Sequence, residues 1–135
     1  MSEIFGYRKL DVYKKARNYV ARVYQLLRKF PIEERYALCD QLRRAAISVP
    51  SNIAEGMGRF SDKEKIHFLE IAYASLYETM CQIELAFDQK YITIEDFTVV
   101  ENEMVEIAKM LSGLRSFILK KQSPEAVSSE ALSNL

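Results

Sequence analysis

Four stretches of this chain step their apolar residues at alternating intervals of three and four, and little else in the sequence constrains the fold as strongly. The first runs Tyr13, Ala16, Val20, Val23, Leu27, Phe30, and the second Cys39, Leu42, Ala46, Val49, Ile53, Gly56. The third is Ile66, Leu69, Tyr73, Leu76, Met80, Ile83, Phe87, and the fourth Phe97, Val100, Met104, Ile107, Leu111, Leu114, Ile118. That spacing lays a single apolar stripe along an α-helix, the seam by which helices pack side by side. No segment alternates with the period of two that a strand needs.

The breaks between the seams carry helix punctuation. Phe30-Pro31 ends the first helix, because the residue before proline is pushed out of the α region. Glu33 and Glu34 suit the positive end of a second helix starting there. Gly56 and Gly58 loosen the end of that helix, and Ser61 followed by Glu64 is a capping-box signature for the third. Thr93 with Asp96 marks the start of the fourth, which opens on Glu95, Asp96 and Glu101 and closes on Lys120 and Lys121, as the helix dipole favours. Four helices of roughly 20–28 residues joined by short turns predict an all-α, up-down-up-down four-helix bundle. It forms a single domain over 1–121, followed by a polar tail over 122–135.

Pro50 sits inside the second seam. It removes one backbone N–H, and its ring crowds the Ala46 carbonyl, which predicts a kink. The alternative is a true break, with Asn52 capping a new helix and Glu55 completing the box. At 100° per residue Gln41, Arg44, Ser48, Asn52, Glu55 and Arg59 fall in one stripe beside the core seam. Ser48, Asn52, Glu55 and Arg59 are therefore expected to form a structural polar network. In it Glu55 meets Arg59, or Arg44, and the half-buried Asn52 amide finds hydrogen-bond partners. On the other flank of this helix Ile47 and Ala54 lie outside the seam, a second packing surface that points to self-association.

Composition matters to function mainly through charge. The chain is neutral overall, yet residues 1–60 hold 12 Lys/Arg against 6 Asp/Glu, and the remainder reverses the balance. Either the basic hairpin packs on the acidic one and the fields cancel, or it presents a face to an anionic partner. For the second case the nucleic-acid-binding candidates are Lys14, Lys15, Arg17, Arg22, Arg28 and Lys29 on the first helix, with Arg43 and Arg44 on the second. Such cations neutralise phosphates without reading bases. Tyr19 and Tyr24, interleaved with them, are candidates to stack on unpaired bases. In the first case the bundle is an interaction scaffold for a partner protein, and complementary halves set subunit register.

The residues do not support an enzyme. Glu64-Lys65-Ile66-His67 is an E-x-x-H on a helix, but di-iron bundles need two such motifs, and His67 is the only histidine. His67 is expected at the surface of the third helix. Cys39 and Cys81 lack C-x-x-C spacing and read as buried small hydrophobes. No phosphate loop or nucleophile elbow is present, so no cofactor and no metal are expected. No apolar run approaches membrane-spanning length and MSEIFGYRK has no signal-peptide core, so the expectation is a cytoplasmic protein with no membrane partner.

The segments FPIEERYALCDQLRRAAISVPSNIAEGMGR and IHFLEIAYASLYETMCQIELA resemble a family of four-helix-bundle proteins encoded within intervening sequences of 23S ribosomal RNA genes. The likeness spans about Phe5 to Leu119. It is most specific at Gln41-Leu42-Arg43-Arg44-Ala45, Ser48-Val49-Pro50, Asn52-Ile53-Ala54-Glu55-Gly56, Arg59, Ser75 and Glu78. Ala74 stands where the family usually has glycine. The resemblance implies a homopentamer around a central channel. It also implies kinship with the accessory protein of diversity-generating retroelements, which binds a reverse transcriptase and nucleic acid through basic surface. That accessory protein is strongly basic, and this chain is neutral.

Overall fold

The computed structural model describes residues 2–121, and the polar tail expected over 122–135 lies outside them. Four helices make up the described chain: α1 Asp11–Leu27, α2 Leu38–Met57, α3 Asp62–Asp88 and α4 Ile94–Lys121. Short 3-10 turns at Gly6–Lys9 and Ile32–Glu34 precede α1 and α2. Helices adjacent in sequence pack on one another, and α1 closes the bundle against α4. Contacting pairs run in opposite directions. Lys15 of α1 and Lys29, just beyond its end, meet Glu106 and Asp96 of α4, while Ser48 and Gly56 of α2 meet Ser75 and Phe68 of α3. The architecture is the up-down-up-down bundle that the seams predict.

The seams of α2 and α4 hold almost position by position. All six expected residues of α2 are buried, and in α4 only Phe97 is merely half-buried. The α1 seam is rotated. Its buried row is Val12, Ala16, Tyr19, Val23, Leu26 and Phe30, while Tyr13, Val20 and Leu27 are only half-buried on the α2 side. The sequence carries apolar residues at both adjacent rows, so the 3-4 rhythm alone does not choose between them. Tyr19 decides it: its phenol reaches Thr79, so the largest side chain of the row enters the core with its polar end satisfied.

The α3 seam departs more. Ile66, Tyr73 and Met80 are half-buried and Phe87 is exposed, while Ala72, Ser75, Thr79, Gln82 and Ala86 are buried. Small residues explain the shift. Ala45, Ala46 and Gly56 of α2 and Ala72 and Ser75 of α3 are all buried, and α2 and α3 form the most extensive helix contact among the described residues. Short side chains let the backbones approach, which draws polar positions of α3 into the interface.

Two helix ends differ from expectation. The α1 helix stops at Leu27, three residues before Phe30, whose ring instead packs on Tyr91 at 5.2 Å between centroids. The second helix starts at Leu38 rather than near Glu33, because Pro31 initiates the separate 3-10 turn. Both expected caps are present. Ser61 Oγ accepts from the Glu64 N–H at 3.1 Å, and Thr93 and Asp96 exchange reciprocal bonds of 3.0 and 3.1 Å. Lys90, at φ 65°, is the left-handed residue that closes α3: the Tyr91 N–H reaches the Ala86 carbonyl and the Lys90 N–H the Phe87 carbonyl.

The α2 helix runs through Pro50 without interruption, which overturns the alternative of a break and restart at Asn52. Proline leaves the Ala46 carbonyl without its i+4 donor. Asn52 holds the same turn from inside. Its amide donates to both the carbonyl and the hydroxyl of Ser48 at 2.8 Å, so the helix keeps a bond where its ladder is weakened.

Candidate functional site

The expected polar network divides into two parts. Ser48 and Asn52 belong to a partly buried relay, in which the Ser48 hydroxyl also lies 2.8 Å from that of Ser75 on α3. One turn on, Thr79 donates to the Ser75 carbonyl at 2.8 Å and receives the Tyr19 phenol at 2.9 Å. Polar side chains thus tie α1, α2 and α3 together, each one satisfied in a place where an orphan would cost about 1–3 kcal/mol. Glu55 and Arg59 form the other part, a surface pair at 3.0 Å with no bond to the relay. Arg44 does not reach Glu55. It pairs with Asp40 at 3.2 Å, one turn back on its own helix. Helical spacing did not place Ser75 and Thr79 in the network, because their positions lie between seam residues of α3; Ser75 entered only through the family resemblance.

The eight candidate nucleic-acid residues also divide. Along α1 and the turn just after it, six of them form two stripes about a third of a turn apart. Lys15, Arg22 and Lys29 face α4 and pair with Glu106, Glu103 and Asp96 at 2.8, 2.8 and 2.6 Å. The Lys15 ammonium holds the Glu106 carboxyl below its usual range and is itself raised by that carboxylate. The Lys29 hydrogen bond, with a second from the Thr93 backbone, likewise lowers Asp96. These three cations neutralise three carboxylates of the acidic half, an instance of the cancelling arrangement that the charge asymmetry allowed. Lys14, Arg17 and Arg28 form the second stripe, within about 80° of one another with Tyr24. Among the described residues these three carry no ion pair. Arg43 lies over the Tyr24 ring at 5.9 Å and also meets Asp40 at 3.8 Å.

Tyr19 is not available to a base. It is fully buried, and burial pushes its phenol well above the ordinary tyrosine range. Tyr24 remains exposed at the rim of the basic stripe. The cysteines are both free thiols. Cys39 is buried as expected, but Cys81 is exposed on the outer face of α3, because the α3 face is turned from the predicted one. His67 is exposed near the start of α3, with its ring 5.5 Å from that of Phe68. Among the described residues no group of three or more His, Cys, Asp or Glu side chains is placed to hold a metal ion. No described helix is long and apolar enough to cross a membrane.

Ile47 and Ala54 line an open groove of about 410 Å³ between α1 and α2, together with Tyr13, Arg17, Val20 and Pro50. Sequence reasoning placed these two residues outside the seam but did not find the larger apolar feature across the molecule. Between α3 and α4, cavities of about 550 and 260 Å³ adjoin at Tyr77 and run from Leu69 to Met80. Tyr77 and Val105, both off the seams and 63% and 45% exposed, were the available signal.

The fold, the relay around Ser48 and Asn52, and the position of Pro50 within α2 place the family motifs in one structural unit, the α2–α3 pair. The sequence profile of the 23S rRNA-intervening sequence protein family matches residues 8–113, which takes in α1, α2, α3 and most of α4. The chain belongs to that family. Among solved structures, this family member is similar to a protein of unknown function from the S23 ribosomal protein family of Bacteroides thetaiotaomicron. The two share 27% identity at a TM-score of 0.72, covering 78% of this chain and 95% of the other. No curated protein matches the chain.

Proposed function

We propose that this family member is a non-enzymatic building block that self-associates as a homopentamer, the assembly its family resemblance implies. The observation that carries this reading is the apolar α1–α2 groove around Ile47 and Ala54. Ile47 is left 38% exposed on a helix whose own seam is fully buried. Apolar surface of this kind, outside the bundle core, marks an interaction site. Multi-angle light scattering at micromolar concentration tests it. The expected mass is about five times the 15.7 kDa subunit. A mass near one subunit overturns the proposal.

Nucleic-acid binding is the second reading, favoured by the unpaired stripe of Lys14, Arg17 and Arg28 beside the exposed Tyr24. An assembled ring repeats that stripe and multiplies its contacts with one strand. Counterion release then makes log affinity for single-stranded RNA fall with log salt, by roughly 0.7 per phosphate neutralised. Replacing Lys14, Arg17 and Arg28 by alanine is expected to flatten that slope. Replacing Lys15, Arg22 and Lys29 is expected to change it less, because α4 carboxylates already occupy those cations. Absence of binding to a mixed RNA pool at about 50 mM salt leaves the protein-scaffold function alone.

A further inference from the structure

On the side of the bundle away from Ile47 and Ala54, the two adjoining cavities between α3 and α4 form one open apolar groove. From Leu69 to Met80 it runs about 16 Å at roughly 1.5 Å per residue, or some three helical turns. Leu69, Leu111 and Met104 lie along it, and the small Ala74 and Ala108 leave its sides open. Tyr73 and Tyr77 brace one another on the α3 side, with their rings 5.1 Å apart and their hydroxyls 3.4 Å apart.

The two ends of the groove differ in charge. At the Leu69 end, Glu70 and Arg115 pair with each other at 3.4 Å. That contact, with the Phe87 and Phe97 rings 5.2 Å apart further along, fixes the register of α3 on α4. The register brings the exposed Glu84 level with Glu101 at the Met80 end. Glu84 follows Tyr77 by two turns and lies within about 20° of it around the helix. Glu101 lines the smaller cavity from the α4 side, one turn before Val105. Among the described residues neither carboxylate has an ion pair. Like charges on the two sides repel each other, and a cation placed between them removes that cost.

We infer that the α3–α4 groove is the docking site for an amphipathic helix of another protein, one whose apolar stripe ends in Lys or Arg. A helix satisfies its own backbone, whereas an extended segment would set unpaired N–H and C=O groups against apolar walls that offer no strand edge. Apolar side chains spaced three and four residues apart match a groove of this length. Met80 and Met104 lie towards the acidic end, where their flexible side chains adapt to the incoming stripe. The basic end of the partner helix then sits between Glu84 and Glu101, and the same two carboxylates disfavour an acidic helix there. This face is distinct from the α1–α2 groove that carries the self-association reading, so neither depends on the other.

Fluorescence anisotropy of a labelled synthetic peptide against the full chain tests this. The peptide is an amphipathic helix with leucines on one stripe and a run of lysines at one end, and its control carries glutamates in place of the lysines. The lysine peptide is expected to bind about tenfold tighter than the control or better. Tyr77→Asp and Val105→Asp are each expected to weaken it by about tenfold or more, and Ile47→Asp on the opposite side to leave it unchanged. Glu84→Gln combined with Glu101→Gln is expected to abolish the preference for lysine over glutamate. Tyr77, Val105 and Glu84 are exposed, and circular dichroism verifies that the variants fold. No binding by the parent, equal binding of the two peptides, or full binding by Tyr77→Asp and Val105→Asp overturns the inference. Light scattering of Tyr77→Asp separates a second copy from a foreign helix. The parent's mass is expected, and loss of assembly together with peptide binding shows that another copy fills the groove and overturns the assignment. A monomeric parent that still binds the peptide overturns the self-association reading and leaves this inference standing.

Discussion

Replacing Tyr19 by alanine is expected to lower the unfolding free energy by about 3–5 kcal/mol, the range for removing a large buried aromatic. A domain stable by some 5–15 kcal/mol loses a large part of its margin in that one step. The side chain is the largest fully buried one in the core, and it touches the polar relay as well as the apolar cluster. Its phenol donates to Thr79 Oγ1, which passes the bond to the Ser75 carbonyl. Tyr19→Phe keeps the ring and is expected to cost only about 1 kcal/mol, the net worth of one such hydrogen bond. Urea unfolding of the three proteins separates packing from bonding. A Phe variant as damaged as the Ala variant refutes this division.

The same residue gives a pH signature. Burial raises the Tyr19 pKa above its unfolded value near 10, so the folded state holds a proton that the unfolded state releases. Its contribution is therefore complete below pH 10 and declines as the pH rises beyond that, by up to about 1.4 kcal/mol per unit. Tyr19→Phe removes that share of the alkaline loss, so parent and variant curves converge at high pH.

Why Tyr19 was misplaced from the sequence is instructive. Val12-Tyr13, Tyr19-Val20 and Leu26-Leu27 present two adjacent apolar rows, and a spacing rule sees both equally. The choice depended on a hydroxyl acceptor sixty residues away, a tertiary fact. The α2 and α4 seams were legible because each offers a single dominant row. Local chemistry was legible too: Ser61 with Glu64, Thr93 with Asp96, and the Asn52 amide near the core all follow from residues within one turn. The pairing of α1 cations with α4 carboxylates was visible only as two halves of opposite charge. Which lysine meets which glutamate depends on helix register, and that left the basic face and the cancelling arrangement both open. In the structure both occur, on different stripes of the same helix. The cavities between α3 and α4 stayed hidden because they are lined largely by residues assigned to the core, and only the rotation of α3 leaves Tyr73 and Met80 half-buried.

The second large effect concerns Gly56, where the α2–α3 pair leaves no room. A Cβ added there lies 2.8 Å from Phe68 Cβ and 3.3 Å from the Lys65 carbonyl. Neither atom can swing away, since one is the root of a ring side chain and the other is backbone. The neighbourhood is also fixed from the α3 side. Lys65 Nζ donates to the Met57 carbonyl at 3.3 Å and to the Arg59 carbonyl, tying α3 to the end of α2. Arg59 stacks over the Phe68 ring at 4.6 Å. Overpacking a site of this kind costs about 1–3 kcal/mol, against which the better helix propensity of alanine returns about 1 kcal/mol. The cost exceeds the gain when the helices cannot part, so Gly56→Ala is expected to destabilise by up to about 2 kcal/mol and Gly56→Val by more. Gly113 of α4 is the matched control. It sits in mid-helix with nothing within 4 Å of an added Cβ, so only the propensity gain applies, and Gly113→Ala is expected to stabilise by up to about 1 kcal/mol. Chemical denaturation of the two alanine variants reads the difference directly. Shifts of the same sign at both positions would mean that α2 and α3 separate freely, and that the relay through Ser48 and Ser75 does not hold them.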